Sequence, residues 1–134
     1  MKLRHIGIAV DSITAAEKFY KEFLNLKLVD GPFDDPVQKV RVAFYSNSGF
    51  AGFEIELIEP LSDDSPVAKI IADTKRSSAY HMCIEVDNLQ TTLENIRKDG
   101  GIVVSQPVPA VAFDGRRIAW VFTKTRHLLE ILES

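Results

Sequence analysis

The chain repeats itself. His5-Ile6-Gly7-Ile8-Ala9-Val10-Asp11-Ser12-Ile13 stands 76 residues ahead of His81-Met82-Cys83-Ile84-Glu85-Val86-Asp87-Asn88-Leu89, with His, Ile, Val and Asp coincident. At the same spacing Arg41-Val42-Ala43-Phe44 falls on Arg117-Ile118-Ala119-Trp120. At a spacing of 74, Ile55-Glu56-Leu57-Ile58-Glu59 falls on Leu129-Glu130-Ile131-Leu132-Glu133. Any two strands share apolar positions, but coincident His and Glu within those positions are not required by strand patterning. A duplication of this kind makes each half the same supersecondary unit, with a core completed by its neighbour.

Both halves read alike. His5 to Val10 is apolar and β-branched, which predicts a strand. Asp11 or Ser12 is a suitable helix N-cap. Ile13, Ala16, Tyr20 and Phe23 recur at helical spacing, so a helix is expected to about Asn25. Leu26 to Val29 reads as a short strand, and Gly31-Pro32 and Asp34-Asp35-Pro36 as a loop. Val40, Val42 and Phe44 alternate with Arg41, Ala43 and Tyr45, and Phe53 to Glu59 is the next strand. In the second half His81 to Val86 is a strand. Leu89, Leu93 and Ile96 stripe a helix stopped by Gly100-Gly101. Short extended pieces follow, broken by Pro107, Pro109 and Asp114-Gly115. Ile118, Trp120 and Phe122 alternate, and Leu128 to Leu132 closes the chain. A connector helix at about 65–74 starts at Ser65-Pro66. The expected architecture is α+β: a single domain over 1–134, with βαβββ modules in tandem at about 1–61 and 78–134.

The 134 residues, 46% of them apolar and 26% charged, suit a globular domain with its own core. A net charge of −3 gives no reason to expect nucleic acid or an anionic membrane as partner. The single cysteine, Cys83, cannot form an internal disulfide, which fits a reducing cytoplasm. No stretch reaches the roughly 20 apolar residues of a membrane span.

Strand parity separates four residues from the helix-facing sets. His5 opposes Ile6, Ile8 and Val10, and Glu56 opposes Phe53, Ile55 and Leu57. His81 opposes Met82, Ile84 and Val86, and Glu130 opposes Leu129 and Ile131. Singly, each is an ordinary solvated or partly buried residue. As a repeat-related set of four, two imidazoles and two carboxylates suit one divalent transition metal, such as Zn, Ni, Co or Mn. By the same parity, Arg41, Tyr45, Cys83, Arg117 and Ala119 share the site-facing side, where Arg41 and Arg117 either meet an anionic group or lie on a solvated face. Cys83 is expected as a small buried filler, His127 at the surface, and Trp120 and Phe122 toward the core.

These residues resemble the vicinal oxygen chelate superfamily, which includes glyoxalase I, bleomycin resistance proteins and dioxygenases. Within it they are most similar to methylmalonyl-CoA epimerases. The resemblance is carried by HIGIAVDSITAAEKFY, ELIEPLSDDSPVAKII, YHMCIEVDNLQTTL and LLEILE, and covers nearly the whole chain. It implies two modules with mixed sheets curling around a central metal site, the glyoxalase-like fold. It places the metal ligands on His5, Glu56, His81 and Glu130, and acid–base work on Glu130 and Glu56. It implies a homodimer and a small substrate, an acyl-CoA or a glutathione thiohemiacetal. Epimerases often carry Gln where this chain has Glu56, and glyoxalase I enzymes carry Glu. The segments 107–117 and 123–127 depart from the epimerase pattern. Three readings follow: an epimerase that moves a proton beside a carbonyl, a glyoxalase I-like lactoylglutathione lyase, and, in another class, a metal-free small-molecule binding protein on the same fold. An iron-dependent dioxygenase fits less well, because two His with one carboxylate would suffice there.

Overall fold

The structure is a computed structural model that describes residues 1–134. It is a mixed α+β fold of nine strands and three α-helices. The first module runs β1 (Lys2–Ala9), α1 (Ile13–Glu22), β2 (Lys27–Asp35), β3 (Val40–Ser46) and β4 (Glu54–Pro60). The connector is α2 (Pro66–Thr74). The second module runs β5 (Ser78–Val86), α3 (Leu89–Lys98), β6 (Ile102–Val103), β7 (Val108–Pro109), β8 (Arg117–Phe122) and β9 (Leu128–Glu133). No helix is long and apolar enough to cross a membrane.

The chain forms two compact units, Ile6–Tyr80 and Met1–His5 with His81–Ser134. In the first, β2, β3 and β4 form an antiparallel meander. Its core gathers Val10, Ile13, Leu26, Ala43, Tyr45 and Leu57, with Ala16 and Tyr20 of α1 packed against it. In the second, β5 pairs parallel with β9, β9 antiparallel with β8, and β8 with both β6 and β7. Its core gathers Val86, Leu89, Leu93, Ala119, Val121 and Ile131. Val10 and Val86, Ile13 and Leu89, Ala43 and Ala119, and Leu57 and Ile131 are repeat partners, so the duplication extends to packing. Each fully buried Leu or Ile stabilises by about 2 kcal/mol, which makes these equivalent positions the main support of each unit.

The helix starts follow their caps. Ser12 Oγ accepts from Ala15 N–H and Asn88 Oδ1 from Thr91 N–H, the same device in both repeats. Ile13 N–H also donates to Glu59 Oε2 at 2.6 Å, tying the start of α1 to β4. Two expectations change. The strand after α1 does not stop at Gly31-Pro32. Gly31 has φ +86 and the register with β3 shifts across this stretch, so β2 bulges and runs on to Asp35. Asp35 Oδ1 then makes the turn, accepting from Val37 and Gln38 N–H. Phe23 does not join the core: it is 81% exposed and stacks on Phe19, because α1 ends at Glu22 with Ala16 and Tyr20 facing inward.

Glycine stops α3 as expected, with Gly100 at φ +89. Gly101 answers a different need. A Cβ there would sit 2.6 Å from Ile96 Cγ2 and 2.9 Å from Phe122 O. Gly101→Ala is expected to lower stability by about 1–3 kcal/mol through this crowding. A urea unfolding curve with a lower midpoint and an unchanged slope checks it.

Candidate metal centre

The parallel ladder of β5 and β9 sets Cys83 beside Glu130 and Ile84 beside Ile131. Ile131 is in the helix-facing core and Ile84 packs against it, so Glu130, Cys83 and His81 share the other face. His5 joins them from β1. The ligand atoms converge. His5 Nε2 lies 3.0 Å from His81 Nε2 and 3.1 Å from Glu130 Oε2, and His81 Nε2 lies 3.7 Å from the same oxygen. All three side chains are buried, His5 completely. Burial pushes the Glu130 carboxyl up, but the hydrogen bonds and charges of His5 and His81 outweigh it and hold the group well below the usual carboxylate range.

The donor set fits a divalent ion. Ligands about 2.1 Å from one metal stand roughly 3.0 Å apart in an octahedron and roughly 3.4 Å apart in a tetrahedron. The separations of 3.0 and 3.1 Å match the octahedral spacing, and the third, 3.7 Å, is slightly wider than the tetrahedral one. Nitrogen and carboxylate donors together suit Zn, Ni, Co or Mn.

Glu56, in the first unit, is buried. On β4 it is registered with Phe44 of β3, on the face opposite the helix-packed Ile55 and Leu57. This is the face that parity assigns it.

Parity misassigned β3 and β8. Tyr45 and Ala43 belong to the helix-facing core, and so does Ala119. Tyr45 is 1% exposed and its hydroxyl donates to Glu17 Oε2 of α1 at 2.8 Å, so it lines no pocket on the Glu56 face. Burial and then Glu17 push its phenol up. Tyr45→Phe is expected to cost about 1 kcal/mol of stability through the lost hydrogen bond and to leave turnover unchanged. A fall in turnover without a fall in stability returns Tyr45 to the site. Arg41 lies on the same side as Tyr45 and holds Asp34 through Nε at 2.6 Å and Nη2 at 3.0 Å, and Glu59 through Nη1 at 3.2 Å. Arg117 holds Glu133 at 2.7 and 2.6 Å. Both guanidiniums are met by the chain's own carboxylates, which is the solvated-face alternative.

Two aromatic residues at the site escaped sequence reasoning. Trp120 is registered with Glu130, not turned toward the helix core, and its ring lies 4.8 Å from His81 at 79°. Its repeat partner Phe44 is registered with Glu56, a signal that the duplication contained. Phe113 stacks on His5, with centroids 5.9 Å apart and planes 12° apart. It comes from a short turn between β7 and β8, and nothing in the sequence marked it.

The model of the glyoxalase/bleomycin resistance protein/dioxygenase superfamily matches residues 4–120. The chain belongs to this superfamily. Among superfamily relatives, the ethylmalonyl-CoA/methylmalonyl-CoA epimerase of Cereibacter sphaeroides is 27% identical, over 92% of this chain and 89% of its own length. The human mitochondrial methylmalonyl-CoA epimerase is 33% identical over 72% of this chain. The chain spans about half the length of the mammalian relatives it matches, 53% for the human and bovine enzymes. Among solved structures, a Streptomyces coelicolor methylmalonyl-CoA epimerase variant in complex with 2-nitronate-propionyl-CoA superposes with a TM-score of 0.84 at 25% identity. That match covers 100% of this chain and 97% of the other.

Proposed function

We propose that this chain is a metal-dependent isomerase of the methylmalonyl-CoA epimerase type, which moves the proton on the carbon next to a thioester carbonyl. The observation that carries the reading is the buried convergence of His5 Nε2, His81 Nε2 and Glu130 Oε2 within 3.7 Å. Glu56, the repeat partner of Glu130, is the proposed fourth ligand, which would give two imidazoles and two carboxylates for one ion. When bound, a divalent ion supplies Lewis-acid stabilisation, worth several kcal/mol, to negative charge developing beside an acidic C–H.

The rest falls to the chain's own carboxylates. Inverting a carbon requires that a proton leave one face and return on the other. Glu130 and Glu56 are the proposed acid–base pair, one from each module. His5 and His81 hold Glu130 in its charged form, the form that a metal ligand or a proton acceptor requires. An acyl-CoA substrate, a twofold dimer and a cytoplasmic setting belong to the same proposal.

Glu56 supports a second reading, a glyoxalase I-like lyase, because a carboxylate stands where epimerases often carry an amide. Two measurements on one preparation test both. The first is metal content, and the second is deuterium exchange at the α-carbon of methylmalonyl-CoA beside isomerisation of the methylglyoxal–glutathione adduct. About one ion per chain with α-exchange supports the epimerase. Turnover of the adduct alone supports the lyase. No metal uptake from Zn, Ni, Co or Mn leaves a binding protein.

A further inference from the structure

Each histidine at the centre is backed by an aromatic ring. His81 meets Trp120 edge-on, and His5 lies nearly parallel to Phe113. The second contact does more than fill space. An imidazole on a strand turns about its side-chain bonds, and a rotation that keeps its volume still swings Nε2 away from the other donors. A parallel ring 5.9 Å away restrains the imidazole plane, and the His81 ring, 5.2 Å away at 84°, blocks rotation from the edge.

Phe113 is itself held rigidly. It is buried, with its N–H on Ala110 O and its carbonyl accepting from Arg116 N–H. Asp114 at φ +54 and Gly115 at φ +80 close the turn. The guanidinium carbons of Arg4 and Arg116 lie 5.9 and 5.7 Å from its ring centroid, and Arg116 is anchored to Glu85 Oε2 at 3.2 Å. The ring is therefore fixed from its backbone and by two cations. Its turn lies in the 107–117 stretch that departs from the epimerase pattern.

We infer that Phe113 is a positioning residue for His5, and that the 107–117 segment sets the metal affinity of the site through this ring. The inference rests on the reading of His5 as a metal ligand. Hydrogen-bonding groups that orient ligating histidines typically contribute about 10–100-fold in affinity, and a ring that restrains the imidazole plane is expected at the low end of that range.

The test is a Co²⁺ titration of the metal-free 134-residue chain, with visible absorption reporting ligand geometry and emission of Trp120, the chain's one tryptophan, reporting occupancy by quenching. Phe113→Leu is expected to weaken Co²⁺ binding about 10-fold and to change the shape of the absorption band, and Phe113→Tyr to restore both. Thermal unfolding of the metal-free proteins separates packing from positioning. A leucine variant that unfolds at a lower temperature yet binds Co²⁺ with wild-type affinity and spectrum overturns the inference alone. A wild type that takes up no Co²⁺, Ni²⁺, Zn²⁺ or Mn²⁺ overturns the metal reading and this inference together. If the leucine variant does not fold, Phe113→Met, an unbranched filler of similar volume, carries the same comparison.

Discussion

Glu130→Gln is expected to slow α-proton exchange by about 100- to 10,000-fold, the usual contribution of a positioned acid–base group. The amide keeps the shape and a carbonyl acceptor for the imidazoles, so packing at a position 5% exposed is preserved. What it loses is the negative charge, and with it the ability to take a proton, which is why the comparison is made on metal-saturated protein. Exchange measured by mass spectrometry on metal-saturated protein checks this, with Glu56→Gln as the companion. If both variants exchange at the wild-type rate, the proton goes elsewhere and the acid–base assignment fails. The same substitution has a signature in stability. The folded chain holds the Glu130 carboxyl below its ordinary value of 4.5. A depressed folded value contributes stability that is complete above the unfolded value and is lost as the pH falls toward the folded one. Metal-free wild type should therefore lose stability more steeply between about pH 5 and pH 3 than Glu130→Gln does.

His81→Ala is expected to abolish metal retention, taking the protein from about one ion per chain to none after gel filtration. Losing a partner that only orients a ligand costs about 10–100-fold in affinity, so losing the ligand itself should cost more. His81 is 2% exposed and touches Trp120, so its removal also leaves a cavity beside the reporter ring. Elemental analysis alone would not separate lost ligation from lost structure. Circular dichroism of the variant, with His5→Ala as a second test, makes the separation. A folded His81→Ala protein that keeps its ion would remove His81 from the ligand set.

Much of this molecule was legible before any coordinates. The spacing of 76 residues between His5 and His81 marked the repeat, and the structure returns it as equivalent core positions such as Val10 and Val86. Strand parity put His81 and Glu130 on one face because their neighbours Ile84 and Ile131 are plainly helix-facing. Ser65-Pro66 announced α2, since a capping hydroxyl followed by proline is a local instruction. These features depend on residues close in sequence, or on chemistry that apolar patterning alone does not produce.

The faces of β3 and β8 were not legible. Five of the seven residues of β3 are buried, and its polar Arg41 and Tyr45 fall on the side that packs toward α1, so polarity pointed to the wrong face. Only registry with β4 and β9, where Phe44 meets Glu56 and Trp120 meets Glu130, turns the bulky rings toward the ligand face and Tyr45 toward α1. Phe113 lies further still from local signals, being placed by a turn whose value depends on His5, more than a hundred residues earlier. The sequence by itself determined which residue types the two halves share and where the helices begin, through local backbone preferences and side-chain period. The tertiary structure alone decided which rings stand against the histidines, because ladder register and turn placement are long-range pairings that no local pattern encodes.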